Sequence, residues 1–262
     1  MTKYGQPQKG GGGAGRLLAP VLAIALLGGI GYFGYHYWRG LDERATDAET
    51  GCLTNAPTPH SILFMVDATD RISPQHSERI RSKIMETVAS LPRYSRVIVV
   101  DFSEDTAAPL LPRFNRCLPG RAGNAEWDQG AQLLEKEYQQ FEASLKSMIA
   151  GLQQLPDSKS SPITEQIIRA ASDPQLHWQG RTRTLVLVTD GLESSIYWTR
   201  WLQLADPPEG LLRDARVEYF EIGNAKGSRL QTRDMRLEWK SWLERAGADV
   251  RITAPGFAAY DP

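Results

Sequence analysis

In Ser61-Ile62-Leu63-Phe64-Met65-Val66-Asp67-Ala68-Thr69-Asp70-Arg71 an apolar run gives way at Asp67 to a short polar turn. Ile62 to Val66 is a short, wholly apolar run, the pattern of a strand buried on both faces of a mostly parallel sheet. It stops at Asp67, and Ser73-Pro74 then supplies a helix start, serine as cap and proline at the first helical position. Far downstream, Thr184-Leu185-Val186-Leu187-Val188-Thr189-Asp190-Gly191 repeats the arrangement, an apolar strand ending in an aspartate. In an open α/β sheet, ligands bind beyond the carboxyl ends of the strands. Two core strands that each end in an aspartate therefore point to one site.

The chain before this stretch is of a different kind. Residues 1–16 are glycine-rich, with Gly10 to Gly13 consecutive, and read as a flexible tail. Leu17 to Trp38 gives 22 residues without a charge, ~33 Å as a helix at 1.5 Å per residue. A hydrocarbon core is about 30 Å thick. The run is longer than a signal-peptide core, no Ala-x-Ala site follows it, and it ends in Tyr35-His36-Tyr37-Trp38, aromatics suited to a membrane–water interface. It reads as a retained single-pass anchor in the lipid bilayer. Lys3, Lys9 and Arg16 precede it, so the positive-inside rule puts the N-terminus in the cytoplasm and the C-terminal domain on the other side. Residues 39–60 form a linker, and residues 61–262 the domain.

Within the domain, strand-like and helix-like segments alternate, which implies a parallel sheet with crossover helices. Strands are expected at 97–102, 217–222 and 250–253, with an edge strand or loop at 109–118. Helices are expected after Asp67 through Ile80, Ile84, Val88 and Leu91, at 128–155, at 162–171 and at 235–245. The apolar stripe of the long helix runs through Leu134, Tyr138, Phe141, Leu145, Met148 and Leu152. Another helix is expected after Asp190, with Trp198, Trp201, Leu202 and Ala205 on one face.

These residues resemble the von Willebrand factor A domain and its metal-ion-dependent adhesion site. That family carries Asp-x-Ser-x-Ser after its first strand, a threonine or serine in a middle loop, and an aspartate, often in Thr-Asp-Gly, after its fourth. Asp67 matches the first aspartate, Thr69 keeps a hydroxyl at the first serine, Ser161 falls at the middle loop, and Asp190 matches the late aspartate. The resemblance implies a Rossmann-like, doubly wound α/β fold. It also implies a Mg2+ or other divalent-cation site on Asp67, Thr69, Ser161 and Asp190, and another protein as partner. Asp70, Arg71, Thr164 and Glu165 would lie near the site. Arg71 departs from the pattern, standing where the second serine should coordinate. The alternative is a metal-free scaffold in which Arg71 pairs with Asp67 or Asp190.

A third reading is a phosphatase-type hydrolase, since haloacid-dehalogenase enzymes also start from an aspartate at a strand end. Thr69 stands where their general acid should be. No Gly-rich phosphate loop is present, and the four histidines have no ligand-like spacing. All 31 acidic residues but only 26 of the 30 basic ones follow Arg39, a net of −5, which argues against a nucleic-acid partner. Cys52 lies in the linker and Cys117 in the irregular stretch after the second strand. In an oxidising compartment this pair can bridge; otherwise Cys117 packs as a small hydrophobe and Cys52 is free.

Overall fold

The computed structural model describes residues 26–35, 45–69, 72–102, 104–124, 130–152, 160–194, 198–200, 203–222 and 229–254. The chain divides into two compact units, Met1–Ala45 and Thr46–Pro262. Of the first, residues 26–35 are helical, and Leu26, Leu27, Ile30 and Phe33 are exposed. Among the described residues no helix is long and apolar enough to cross a membrane, and only residues 26–35 of the Leu17–Trp38 stretch are described.

The second unit is a mixed α/β fold on a six-stranded sheet. In chain order its elements are β1 (His60–Asp67), α1 (Pro74–Ala89), β2 (Arg96–Phe102), β3 (Phe114–Cys117), α2 (Ala131–Gly151), α3 (Ile163–Ser172), β4 (Thr182–Thr189), β5 (Trp198–Arg200), β6 (Gln203–Leu204), β7 (Ala215–Glu221), α4 (Arg233–Arg245) and β8 (Asp249–Thr253). The sheet order is β3-β2-β1-β4-β7-β8, with β3 alone antiparallel. Aside from that edge strand, this is the doubly wound order, with the first and fourth sheet strands in sequence side by side at the centre.

The central strands are apolar through their middles, Ile62–Val66 and Leu185–Val188, because both faces are covered there. Leu63, Met65, Leu185, Leu187 and Tyr219 face a layer that includes α3 and α4. Ile62, Phe64, Val66, Val186 and Val188 face one that includes α1 and α2. Each such side chain taken fully out of water is worth about 1.5–3 kcal/mol. Ser73 caps α1, its hydroxyl accepting from the His76 amide at 3.2 Å, with Pro74 in the first turn.

Three expectations change. The long helix is described over Ala131–Gly151, residues 128–129 and 153–155 of the expected span lying outside the described residues, and its inward stripe takes Ile149 where the sequence pointed to Met148. Both fit helical spacing, and the branched side chain is the one that fills the space under the helix. The segment after Asp190 does not form the expected helix at Trp198; β5 and β6 pair there as an antiparallel hairpin. Tertiary anchoring decides this: the Leu204 amide donates to Glu238 of α4 and the Trp242 indole to the Ala205 carbonyl. Trp201 and Leu202 lie outside the described residues. Third, the linker is not plain connection. Thr46 and Leu53 bridge as a small hairpin, turned by Asp47 and by Gly51 at φ +68°. The hairpin docks on edge strand β3, the Cys117 amide donating to the Thr50 carbonyl, and Cys52 is disulfide-bonded to Cys117.

That bridge closes a 65-residue separation, for which the chain-entropy model gives about 4 kcal/mol. Cys52→Ser should lower the unfolding free energy by up to that amount. Denaturant titration in oxidising and reducing buffer checks it: reductant should destabilise the unsubstituted chain and leave Cys52→Ser unmoved.

Candidate functional site

Strand parity builds the site. Val66 is in register with Val188, so Asp67 and Thr189, one step on, point to the same face of the sheet. That face carries α3, and Ser161 lies just before the start of that helix. The three side chains meet. Thr189 Oγ1 donates to Asp67 Oδ2 at 2.7 Å and Ser161 Oγ donates to the same oxygen at 2.9 Å. Oδ1 accepts from the Thr69 amide at 3.0 Å and from Thr69 Oγ1 at 2.6 Å. Asp67 thus takes four hydrogen bonds from three separate segments.

All of these residues are buried, Asp67 to 5% exposure, Thr69 to 7%, Ser161 and Asp190 to 8%. Burial raises the Asp67 pKa above its ordinary 3.8, outweighing the hydrogen bonds that lower it. The folded carboxyl therefore holds its proton more tightly than the unfolded one. Its ionisation costs stability as the pH rises from 3.8 through the raised value. A positive charge brought beside Asp67 would offset that cost.

The turn after β4 is fixed from several directions. Thr189 Oγ1 also accepts from the Gly191 amide at 3.0 Å, and Asp190 Oδ1 accepts from the Leu192 amide at 2.9 Å. Gln231 Nε2 donates to the Asp190 carbonyl and the Trp239 indole to the Gly191 carbonyl, each at 3.0 Å. Glu193 reaches across to the start of α3, where the Thr164 amide donates to its Oε2 at 2.7 Å. A carboxylate there satisfies one of the open amides of the first helical turn and complements the helix dipole. Ser194 and Ser161 exchange two bonds, amide to hydroxyl at 2.5 Å and amide to carbonyl at 2.8 Å. The β4 turn and the loop before α3 are therefore one mechanical unit.

Of the residues picked from sequence, the structure brings Asp67, Thr69 and Ser161 into direct contact and puts Asp190 one residue past Thr189. Thr164 is fully buried at the start of α3, and Glu165 follows it, half-buried. Asp70 and Arg71 lie outside the described residues. Sequence reasoning missed Thr189, Glu193 and Ser194 as members of the site. Strand register was the signal for Thr189; for Glu193 and Ser194 no local signal exists, because their partners lie about thirty residues away.

The donor set suits a hard divalent ion. Carboxylate and hydroxyl oxygens are the ligands magnesium and manganese accept. The Thr69, Ser161 and Thr189 hydroxyls spend their protons on Asp67 and keep lone-pair capacity. Among the described residues no group of three or more His, Cys, Asp or Glu side chains gathers, so an ion here would rest on two carboxylates, hydroxyls and water.

No family model and no curated protein matches the sequence. Among solved structures, the chain is similar to an aerotolerance-related membrane protein from Bacteroides fragilis, at 12% identity and TM-score 0.35 over 71% of this chain and 98% of that one. It is also similar to a von Willebrand factor type A from Catenulispora acidiphila, at 13% identity and TM-score 0.38 over 76% of this chain and 39% of that one. A third is the manganese-loaded TRAP protein of Plasmodium vivax, at 15% identity and TM-score 0.36 over 66% of this chain and 62% of that one. Likeness at this level carries no functional argument; the sheet order and the Asp67 cluster carry it.

Gly191 sits at φ +76°, and a Cβ there would lie 2.0 Å from the Tyr219 hydroxyl. Gly191→Ala should cost more than about 2 kcal/mol, from backbone strain plus the clash. Among the described residues the buried Tyr219 hydroxyl meets no hydrogen-bond partner, so Tyr219→Phe alone should be near neutral or stabilising. In a double-mutant cycle, Tyr219→Phe should recover part of the Gly191→Ala loss. Strict additivity would show that the hydroxyl is not the obstacle.

Proposed function

We propose that this chain is a membrane-anchored protein-interaction module of von Willebrand factor A type. Its recognition site is the Asp67 cluster at the carboxyl ends of β1 and β4. One observation carries the reading: a buried carboxylate, ringed by Thr69, Ser161 and Thr189 hydroxyls, whose pKa burial still raises. Such a site gains from a cation. Magnesium or manganese would be held by Asp67, Thr69, Ser161 and Asp190, with Thr189 beside them. The bound ion would supply a positive charge that a partner's carboxylate can meet. The protein's own part is positional. The hydroxyls orient Asp67, the Gln231 and Trp239 bonds fix the Asp190–Gly191 turn, and Glu193 with Ser194 ties that turn to Ser161.

Anchoring is part of the same reading. Leu17–Trp38 would cross the bilayer with the N-terminus in the cytoplasm and the domain on the far side. The Cys52–Cys117 bridge supports that placement, since disulfides persist in oxidising compartments. A second reading, a metal-free scaffold, is favoured by a different fact: Asp67 already accepts four hydrogen bonds.

Thermal unfolding of the intact chain in detergent separates the two. Magnesium or manganese at a hundredfold excess over its dissociation constant should stabilise by about 2.7 kcal/mol. Asp67→Ala and Asp190→Ala should each abolish the gain. No shift at millimolar metal would establish the scaffold. Metal-dependent phosphate-ester turnover lost in the same variants would overturn both readings in favour of a hydrolase.

A further inference from the structure

The two edges of the sheet are finished differently. On one side β3 is covered by the Thr46–Leu53 hairpin and cross-linked to it through Cys52 and Cys117. On the other, β8 pairs with β7 along Asp249–Thr253, and among the described residues no strand pairs with its outer side. A strand paired on one side only keeps a row of backbone N–H and C=O groups open to another strand.

Side-chain parity shows what that second strand has to present. Ala248, Val250 and Ile252 pack against the layer that includes α3 and α4 and are only half-buried there. Asp249, Arg251 and Thr253 alternate with them and face the side of α1 and α2. Thr253 is engaged, its hydroxyl donating to Glu218 at 2.8 Å, and Glu218 also pairs with Lys83 of α1 at 2.6 Å. Asp249 and Arg251 are exposed. Asp249 meets Arg216 at 4.0 Å, with the two side chains 84% and 80% exposed, a surface pair of the kind that holds neither charge firmly. One open edge therefore carries an acid and a base two residues apart, on the same face.

We propose that β8 is a self-association edge, on which a second copy of this chain adds its own β8, antiparallel, and joins the two six-stranded sheets into one. A two-fold axis perpendicular to the sheet pairs like edges antiparallel, keeps each face with its own kind, and closes the assembly at two copies. Because the faces are kept, the residue on the axis meets its own copy. Centred on Asp249 or on Arg251, the contact sets like charges against each other. Centred on Val250, it sets Asp249 of each copy opposite Arg251 of the other, two opposite-charge pairs at directly facing positions. The same register puts Val250 on Val250 and Ala248 against Ile252. The half-buried apolar row on the α4 side then continues across the contact and loses its exposed flank. The charges on β8 thus select a second β8 over an arbitrary strand. The contact uses neither Asp67 nor a cation, so it stands apart from the function proposed above.

Sedimentation of the intact chain in detergent over a concentration series tests this. The unsubstituted chain should pass from monomer to dimer. Asp249→Arg and Arg251→Asp each turn both facing pairs into repulsions and should weaken dimerisation at least about tenfold. Mixed in equal amounts, the two variants should dimerise with each other about as well as the unsubstituted chain, because the reversed charges then face their opposites. Far-UV circular dichroism should be unchanged in both, since both side chains are exposed. A chain monomeric throughout the series, or a dimer that neither substitution weakens, overturns the proposal. So does a mixture that fails to dimerise while each variant keeps its native circular dichroism. A dimer that forms only in reductant, once the disulfide no longer holds the hairpin on β3, would put the contact at the other edge and overturn it too.

Discussion

The structure depends on a carboxylate that is hard to bury. Asp67 closes the central strand of the sheet at 5% exposure, and its desolvation is opposed by hydrogen bonds that must come from elsewhere in the fold. One donor residue follows two positions on, but the others lie 94 and 122 residues away. The bonds form only when β4 lies beside β1 and the chain before α3 reaches the carboxyl ends of both. Asp67 thus ties the sheet order and the Ser161 loop to one small volume, and any misplacement of either leaves a buried charge with fewer donors.

The two helical layers divide the work. The face carrying α1 and α2 is almost wholly packing, with Phe141 edge-on to Phe114 and Ile80, Ile84 and Val88 against the central strands. The face carrying α3 and α4 holds the chemistry. Tyr219 stacks on Trp239, which meets Trp242 edge-on, beneath the Asp190–Gly191 turn, and the Trp239 indole holds the Gly191 carbonyl. A close aromatic floor leaves no room for a side chain at position 191, which is why the turn carries glycine there. Nearby, Glu221 is 2% exposed and bonded through both oxygens to Arg236 at 2.7 Å. Among the described residues Glu221 is met by a guanidinium, whereas Asp67 is met by hydroxyls and an amide.

The hairpin at Thr46–Leu53 solves a separate problem. An edge strand presents unpaired backbone groups that invite pairing with other chains. On β3 the Thr50 carbonyl takes up the Cys117 amide, and the disulfide holds the cover in place. The same contact means that the chain enters the domain beside β3 before it reaches β1.

Much of this was legible in the sequence. Uninterrupted apolar runs at 62–66 and 185–188 require strands covered on both faces, because any exposed face would leave large hydrophobic side chains in water. Aspartates at their ends locate the site, and Ser73-Pro74 fixes a helix start by local hydrogen bonding alone. What the sequence could not decide depends on pairing over distance. The Trp198–Leu204 segment fits helical spacing, and only its anchoring by Glu238 and Trp242 makes it a hairpin. Glu193 looks like any loop glutamate until α3 is placed against it. Cys52 and Cys117 allowed either a bridge or two thiols, and the docking of the hairpin on β3 brings their Cα atoms to 4.8 Å. Local rules set the strands and caps, while register and docking chose which polar groups share one buried volume.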